Sequence, residues 1–402
     1  MQLMTQTAGA GTEKRRPHLA TLVLASAISP LAINIFVPSM PSLAAHFGTS
    51  YSSVQLGLSL YLGATAVLQL VIGPLSDILG RRPVLLGGMM LFIAGTVLTL
   101  LAPSVEVFLA GRVVQSAAAA GIVLSRAVVR DLVAQERAAS MIGYVTMGMA
   151  VAPMVGPAIG GVVDDLFGWR ASFWLLLALG FAALAALHVN LPETNTQRGT
   201  PLRQQLHIYV ELLRSVRFWL FALSATLATS VFFAFLGGAP AIASGPLAMS
   251  PAAYGLWFAL CALGYMIGNF VSGRYSERVG VRYMVFGGAM VTLAGPLATW
   301  LANASGQFGI AALFLPMLLV GIGNGMTIPN ATAGAISVRP DAAGAASGLL
   351  GSIQIGLGAL ASILAGILVT GADGIARYCL LLVAVGIAGA VFAVFAMVSE
   401  RR

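Results

Sequence analysis

Two polar segments with the same pattern lie two hundred positions apart in the chain, at residues 73–82 and 273–282. Glycine, serine, an acid, glycine and arginine recur in both at the same five places: Gly73, Ser76, Asp77, Gly80 and Arg82, then Gly273, Ser276, Glu277, Gly280 and Arg282. Carboxylates and arginines in a short segment form charge-assisted hydrogen bonds, which hold one arrangement of a protein and break in another. The pattern therefore predicts an electrostatic latch in each segment.

The first latch needs partners on neighbouring helices. Asp77 can accept hydrogen bonds at a helix N-terminus, and Arg81 can pair with Asp131 at the end of a later apolar run. The residues expected to act as a gate are Asp77, Arg81, Arg82, Arg126, Arg130, Asp131, Glu277 and Arg278. A simpler alternative is that these arginines only fix the orientation of the chain in a membrane.

Arg112 is the single residue with the largest chemical consequence. It lies about five residues inside an apolar run, and an arginine in mid-membrane costs roughly 2.5–3.5 kcal/mol. One reading is that its side chain extends to the membrane surface. The other is that it faces a watery cavity, with Gln115 one turn further along the same helix face.

Aromatic, methionine and amide side chains inside the apolar runs supply a binding surface that repacks around different ligands. Every acid falls in a loop or at the end of a run, so the cavity is expected to be neutral or positive and to suit uncharged or weakly anionic amphiphiles. The residues expected to bind substrate are Asn34, Tyr61, Arg112, Gln115, Met147, Phe232, Phe235, Tyr265, Asn330 and Gln354. The four histidines lie near run ends, so we expect no metal site and no cofactor.

The elements that position these residues must be membrane helices. Of 402 residues, 58% are hydrophobic and 8% are charged, whereas soluble domains carry roughly 25% charged residues. The mean hydropathy is +0.93. A helix needs about 20 apolar residues to cross a bilayer, which leaves room for about twelve spans. Transmembrane β-barrels alternate apolar and polar residues, and the long unbroken apolar runs here predict an all-helical protein instead.

The apolar runs divide the chain into two sets of six. The first six lie at roughly 19–40, 51–73, 84–103, 107–128, 138–163 and 170–190. The second six lie at roughly 217–243, 252–273, 283–303, 308–332, 343–370 and 375–398. We therefore expect bundles at 19–190 and 217–398, a polar linker at 191–216, and short tails at 1–18 and 399–402.

The positive charges indicate an orientation. The net charge is +8, and most arginines lie in the tails, the linker and alternate loops, which is typical of the cytoplasmic side of a membrane protein. This placement is typical of charges that orient a protein in a membrane and not of a nucleic-acid-binding face. It predicts that both termini and the linker are cytoplasmic and that the number of spans is even.

The segment Gly73 to Pro83 resembles the loop 2–3 signature of the major facilitator superfamily. Arg112 and Gln115 match a second signature in the fourth span. The fifth span is similar to the exporter motif, with Gly143, Gly156, Pro157, Gly160 and Gly161, which we expect to serve helix packing. Together with residues 29–38 and 125–131, these motifs resemble the bicyclomycin and chloramphenicol resistance branch of drug exporters.

The resemblance implies two six-helix bundles in a bacterial inner membrane and a monomeric secondary transporter that exports small molecules, with the proton as coupling ion. Two positions depart from the pattern. Ala152 replaces an inner glycine of the exporter motif, and Asn34 stands where this branch typically has an aspartate. Because an amide does not titrate, the second change removes the usual site of proton coupling.

Other classes of function fit less well. An intramembrane enzyme needs a catalytic set inside the bilayer, and a pump driven by ATP needs a P-loop; the sequence shows neither. Within transporters, the alternative to a drug exporter is a metabolite exporter or an uncoupled facilitator, for example of sugars or amino acids.

Overall fold

The computed structural model describes residues 17–132, 135–195, 202–339, 342–371 and 373–399. Helices dominate these residues, and the described part of the chain contains no strand. Eleven of the described helices are long and apolar enough to cross a membrane. With the helix Gln135–Phe167 they give twelve spans, as predicted. The tails beyond 17–399, the side chains of Arg130 and Met147 and the surroundings of Gly143 lie outside what the structure describes.

The twelve spans are numbered here in chain order. Spans 1 to 6 are Leu19–Phe47, Tyr51–Leu79, Arg81–Leu100, Val105–Leu132, Gln135–Phe167 and Trp169–Asn190. Spans 7 to 12 are Val216–Ser244, Pro251–Val279, Val281–Ala304, Ile310–Ile336, Ala343–Leu368 and Gly374–Ser399. The predicted linker is itself partly helical, over Leu202–Arg214.

Each polar segment forms the end of a helix and a sharp corner. We expected a short loop between the second and third runs, but span 2 continues to Leu79 and span 3 begins at Arg81. Only Gly80 interrupts them, with φ of 104°, and Gly280 does the same between spans 8 and 9 with φ of 91°. Glycine tolerates this positive φ, whereas other residues are strained there.

The two halves repeat with the same offset of two hundred residues that the polar segments show. Ser50 and Ser250 cap spans 2 and 8, where each hydroxyl accepts the backbone N–H three residues on. The end of the molecule that carries Gly80 and Gly280 is called the hinge face below. The opposite end, which carries Ser50 and Ser250, is called the far face.

Two spans are broken where the site residues lie. Span 1 is helical over Leu19–Asn34, passes through a single 3-10 turn at Val37–Ser39, and continues as Met40–Phe47. Span 4 has a similar 3-10 turn between Val105–Gln115 and Ala119–Leu132. Each break frees backbone groups inside the bundle, where buried side chains can bind them.

The halves meet along two pairs of helices. Spans 2 and 11 are joined by the side chain of Gln55, whose Nε2 donates to the carbonyl and to Oγ of Ser362 at 2.8 Å. Nearer the middle, Ser352 Oγ donates to the carbonyl of Ala66 at 2.7 Å. Spans 5 and 8 pack backbone against backbone. These contacts hold the halves together in the middle and at the far face.

Candidate functional site

Arg81 forms the ionic centre of the first polar segment. Its Nη1 lies 2.6 Å from Asp77 Oδ1, and its Nε lies 3.2 Å from Asp131 Oδ2 on span 4. The guanidinium also donates to Ser76 Oγ. The predicted pair of Arg81 with Asp131 is therefore confirmed. Arg81 and Asp77 are half-buried, so their bond is screened less than a surface pair, whereas Asp131 is exposed.

A carboxylate from outside the first polar segment, that of Glu193, also binds it. Glu193, directly after span 6, accepts the backbone N–H groups of Arg81 at 2.9 Å and Arg82 at 3.2 Å. These are unpaired donors at the N-terminus of span 3, where the helix dipole also favours negative charge. The same carboxylate accepts the amides of Thr194 and Asn195. Glu193 thus fixes the start of span 3 to the end of span 6.

Asn195 binds the end of span 2, on the other side of Gly80. Its Nδ2 donates to the carbonyl of Asp77 at 3.0 Å, which lies at the end of span 2. Thr194 Oγ1 donates to Asp131 Oδ2 at 3.2 Å. Residues 193–195 therefore contact spans 2, 3 and 4 together. Nothing in the sequence spacing shows that these three residues lie beside Gly80, so they were not among the predicted residues.

The contacts that residues 193–195 make with spans 2, 3 and 4 are called the clamp below. The second polar segment has the same backbone conformation at its glycine but lacks the clamp. Glu277 and Arg278 are exposed and form no ion pair with another described residue. A Cβ added at Gly280 would meet only the ring of Tyr283, at 3.9 Å, whereas one added at Gly80 would collide with the carboxylate of Glu193. The predicted latch at Glu277 and Arg278 therefore stays a prediction.

Two other residues predicted to act as a gate, Arg82 and Arg126, contact neighbouring parts of the first half. Arg82 Nη2 donates to the carbonyl of His188 at 3.0 Å. Arg126 is half-buried on span 4, and its Nη2 lies 3.5 Å from Met149 Sδ on span 5. Arg126 therefore connects two helices of the first half, on the side of span 4 nearer the hinge face.

Arg112 is completely buried, so its side chain does not extend to the membrane surface. Its Nη2 donates to the carbonyl of Ala32 at 3.0 Å, its Nε to the carbonyl of Gly57 at 3.3 Å, and its Nη1 to Gln115 Oε1 at 2.6 Å. The guanidinium carbon lies 4.2 Å from the ring centre of Phe36. The break of span 1 supplies this site, because Ala32 is in its last regular turn.

Tyr61 and Gln115 connect Arg112 to further polar groups. Its guanidinium carbon lies 4.6 Å from the ring centre of Tyr61, and the Tyr61 hydroxyl donates to Ser29 Oγ at 3.0 Å. Gln115 Nε2 donates to Thr96 Oγ1 at 2.8 Å. Arg112, Gln115 and Tyr61 thus lie together, but in this conformation they contact one another and face no open cavity, so their binding of substrate stays a prediction.

The remaining aromatic candidates lie in the second half. Phe235 is fully buried, and its ring centre lies 6.1 Å from that of Phe258 and 5.8 Å from that of Phe314. Phe232, half-buried on the same span, packs 6.0 Å from Phe258. Tyr265 is half-buried on span 8. The structure therefore groups the phenylalanines into one cluster and leaves Tyr265 apart from it.

The amide candidates differ in their hydrogen bonding. Asn330 Nδ2 donates to Ser272 Oγ and to the carbonyl of Met326, both at 2.8 Å. Asn34 Nδ2 donates to the carbonyl of Pro30 at 2.8 Å, but its buried Oδ1 has no partner among the described residues. Gln354 Nε2 on span 11 is likewise buried without a described partner. Among the candidate amides, Asn34 therefore offers an acceptor and Gln354 a donor that have no partner among the described residues.

The glycines of span 5 divide between two neighbours. A Cβ at Gly160 would collide with the carbonyl of Ile35, and one at Gly156 would lie 3.1 Å from Asn34 Cβ. Gly161 faces the other half, where a Cβ would collide with the carbonyl of Pro251, and the carbonyl of Pro157 similarly approaches Gly255. Small residues let these backbones touch, which is how membrane helices gain packing energy.

Two similar bundles of six spans, joined by a linker and in contact along spans 2, 5, 8 and 11, define a multi-pass membrane transporter of the two-bundle type. Residues 22–353 match the Major Facilitator Superfamily, and the chain belongs to that family.

Several curated relatives match over most of the chain. A chloramphenicol resistance protein of Pseudomonas aeruginosa is 33% identical, over 84% of this chain and 82% of that protein. Multidrug resistance protein D of Escherichia coli strain K12 is 29% identical, over 86% of this chain and 87% of that protein. A bicyclomycin resistance protein homologue of Haemophilus influenzae is 28% identical, over 85% and 87%.

A solved structure shares the fold. It is a bacterial homologue of the human lysosomal transporter Spinster in an inward-facing and occupied conformation, with a TM-score of 0.72. It is 17% identical and covers 95% of this chain and 96% of its own. At that identity the likeness establishes the architecture alone.

Proposed function

We propose that the protein is a secondary active multidrug exporter in a bacterial inner membrane, with the hinge face and both termini in the cytoplasm. Its substrates are small amphiphiles that are mostly neutral, such as phenicol-type antibiotics. Support comes from the family, from relatives named for chloramphenicol, multidrug and bicyclomycin resistance, and from the arginines at the hinge face.

The observation that carries the substrate class is the pair of unpaired amide atoms. Asn34 Oδ1 is an acceptor and Gln354 Nε2 is a donor, and both are neutral. The positive charge of Arg112 is already enclosed by carbonyls and aromatic rings. An unpaired buried polar atom costs about 1–3 kcal/mol, which a neutral ligand would recover with a hydroxyl at Asn34 or a carbonyl at Gln354. A neutral compound fits this pattern better than a cation.

The test is a resistance screen in a bacterium that lacks its own drug exporters. Cells that express the protein should tolerate phenicols better than cells that express the same amount of Gln354→Leu. Quaternary ammonium dyes should give little tolerance in either strain. Secretion of sugars or amino acids without any drug tolerance would instead support the alternative, a metabolite exporter or facilitator.

We also propose that export is coupled to protons. Asn34 cannot carry a proton, so the candidate carboxylate is Asp131 at the hinge face, where Arg81 and Thr194 hold it. The purified protein in detergent should release protons when substrate is added, and Asp131→Asn should abolish that release. Release that survives Asp131→Asn would assign coupling to another residue.

A further inference from the structure

Two adjacent carboxylates end span 5 at the far face, and they point to different halves of the molecule. Asp164 Oδ2 accepts a hydrogen bond from Ser42 Oγ at 2.9 Å, in the terminal helix of span 1. Asp165 Oδ2 accepts the backbone N–H of Ala252 at 3.2 Å, in the first turn of span 8. Asp164 therefore anchors the end of span 5 to its own half, and Asp165 reaches the other half.

The N-terminus of span 8 leaves one amide for Asp165 to bind. The cap residue Ser250 accepts the N–H of Ala253, and Pro251 has no N–H. Ala252 is then the unpaired donor of the first turn. A carboxylate at this position both accepts that hydrogen bond and interacts favourably with the helix dipole.

Close packing holds the carboxylate at this distance. Gly161, one turn before Asp165, lies so near the carbonyl of Pro251 that a methyl group would not fit. A third contact joins the halves nearby, where the Tyr51 hydroxyl donates to the carbonyl of Gly237 at 3.0 Å. If the far face opened, the contact of Asp165 with Ala252 would have to break.

A small, partly open pocket lies between the same surfaces of the two halves. It measures about 120 Å³ and is lined by Pro38 and Ser42 from the first half and by Met249 and Tyr254 from the second, among others. Met249 is 8% exposed. A side chain at this position therefore reports whether the far face is closed.

We propose that Asp165 is the charged gate residue of the far face: it binds the N-terminus of span 8 when that face is closed and releases it when the halves separate. Asp164, fixed by Ser42, positions it. The gate rests on the proposed export function, in which the two faces open in turn, but its test measures conformation alone. A failure of the export screen would therefore leave the outcome of this test unaffected.

The experiment uses the full-length protein in detergent with Met249→Cys and a charged methanethiosulfonate reagent. The two natural cysteines, Cys261 and Cys379, are buried and set the background in the parent protein. Asp165→Asn keeps the shape but removes the charge, so labelling of Met249→Cys should become about two- to fivefold faster. Asp165→Ala also removes the hydrogen bond and should accelerate labelling further.

Glu106→Gln is the matched control. Glu106 is an exposed acid in the first turn of span 4, also at the far face, so its replacement should leave labelling unchanged. The Met249→Cys protein with Asp165 intact supplies a second measurement, because high salt screens exposed charges. Salt near 1 M should speed labelling of Met249→Cys when Asp165 is present and not in Asp165→Asn. Equal labelling with and without Asp165, or an equal effect of Glu106→Gln, would overturn the gate.

Discussion

Comparing Gly80→Ala with Gly280→Ala separates the stability cost of backbone strain from the cost of disturbing the Glu193 clamp. Both glycines have positive φ, 104° and 91°, with ψ of 153° and 146°. Alanine is strained by about 1–3 kcal/mol in such a conformation, and this cost is shared by the two variants. Only Gly80→Ala also places a methyl group against the Glu193 carboxylate.

The additional cost follows from the bonds that Glu193 makes. Displacing it weakens the two hydrogen bonds to Arg81 and Arg82 and removes a charge from the N-terminus of span 3. Because Glu193 is exposed and water replaces part of each bond, the sum is about 1–2 kcal/mol. At roughly 2–4 °C per kcal/mol for a unit the size of the first bundle, Gly80→Ala should unfold about 2–8 °C below Gly280→Ala.

Thermal unfolding of the purified protein in detergent at one fixed scan rate measures the difference. Glu193→Ala alone should lower the unfolding temperature, and adding Gly80→Ala to it should cost only the shared backbone strain, since the clash is then gone. Equal unfolding temperatures for Gly80→Ala and Gly280→Ala would refute the clamp. So would full additivity of Gly80→Ala and Glu193→Ala.

Other variants test the remaining site residues. Arg112→Lys keeps the charge but cannot reproduce the planar contacts, so it should lower stability by about 2 kcal/mol, measured by thermal unfolding. Asp77→Asn should impair export by reconstituted vesicles while expression and insertion stay intact; undiminished export would count against a gate. Asn34→Asp should shift preference towards cations and strengthen the proton dependence of export, measured as dye efflux against pH. Gly161→Ala should separate spans 5 and 8 and accelerate labelling of Met249→Cys, whereas an unchanged rate would contradict the close packing.

The sequence predicted the architecture because each span is a local property. Twelve apolar runs, the repeat at residues 73 and 273 and the linker all follow from nearby residues. Boundaries were wrong where polar residues continue a helix, as in residues 74–79, because Ser76 and Asp77 bind within or beside the last turn instead of ending it. Glycine at 80 is the true break, and its positive φ explains why.

The site was predicted less completely because its contacts join distant residues. The motif resemblance identified Arg112 and Gln115, and helix periodicity placed them on one face. Periodicity carries no information on what lies opposite, so the enclosure of Arg112 by Ala32 and Phe36 could not be foreseen. Glu193 and Asp165 were missed for the same reason, since each acts on an amide of a helix remote in sequence.

Glu193 and Asp165 make the same kind of interaction, but one lies within a half of the molecule and the other joins the two halves. Each places a carboxylate on the unpaired amides of a helix N-terminus, at the hinge face for span 3 and at the far face for span 8. Glu193 joins elements of the same half, so its bonds survive any rigid rotation of the halves. Asp165 joins different halves, so the same rotation breaks its bond. The strength of such a bond, about 0.3–1 kcal/mol for an exposed charge, suits a contact that must open in every cycle. A stronger bond at Asp165 would trap one conformation, whereas a stronger bond at Glu193 would only stiffen the first half.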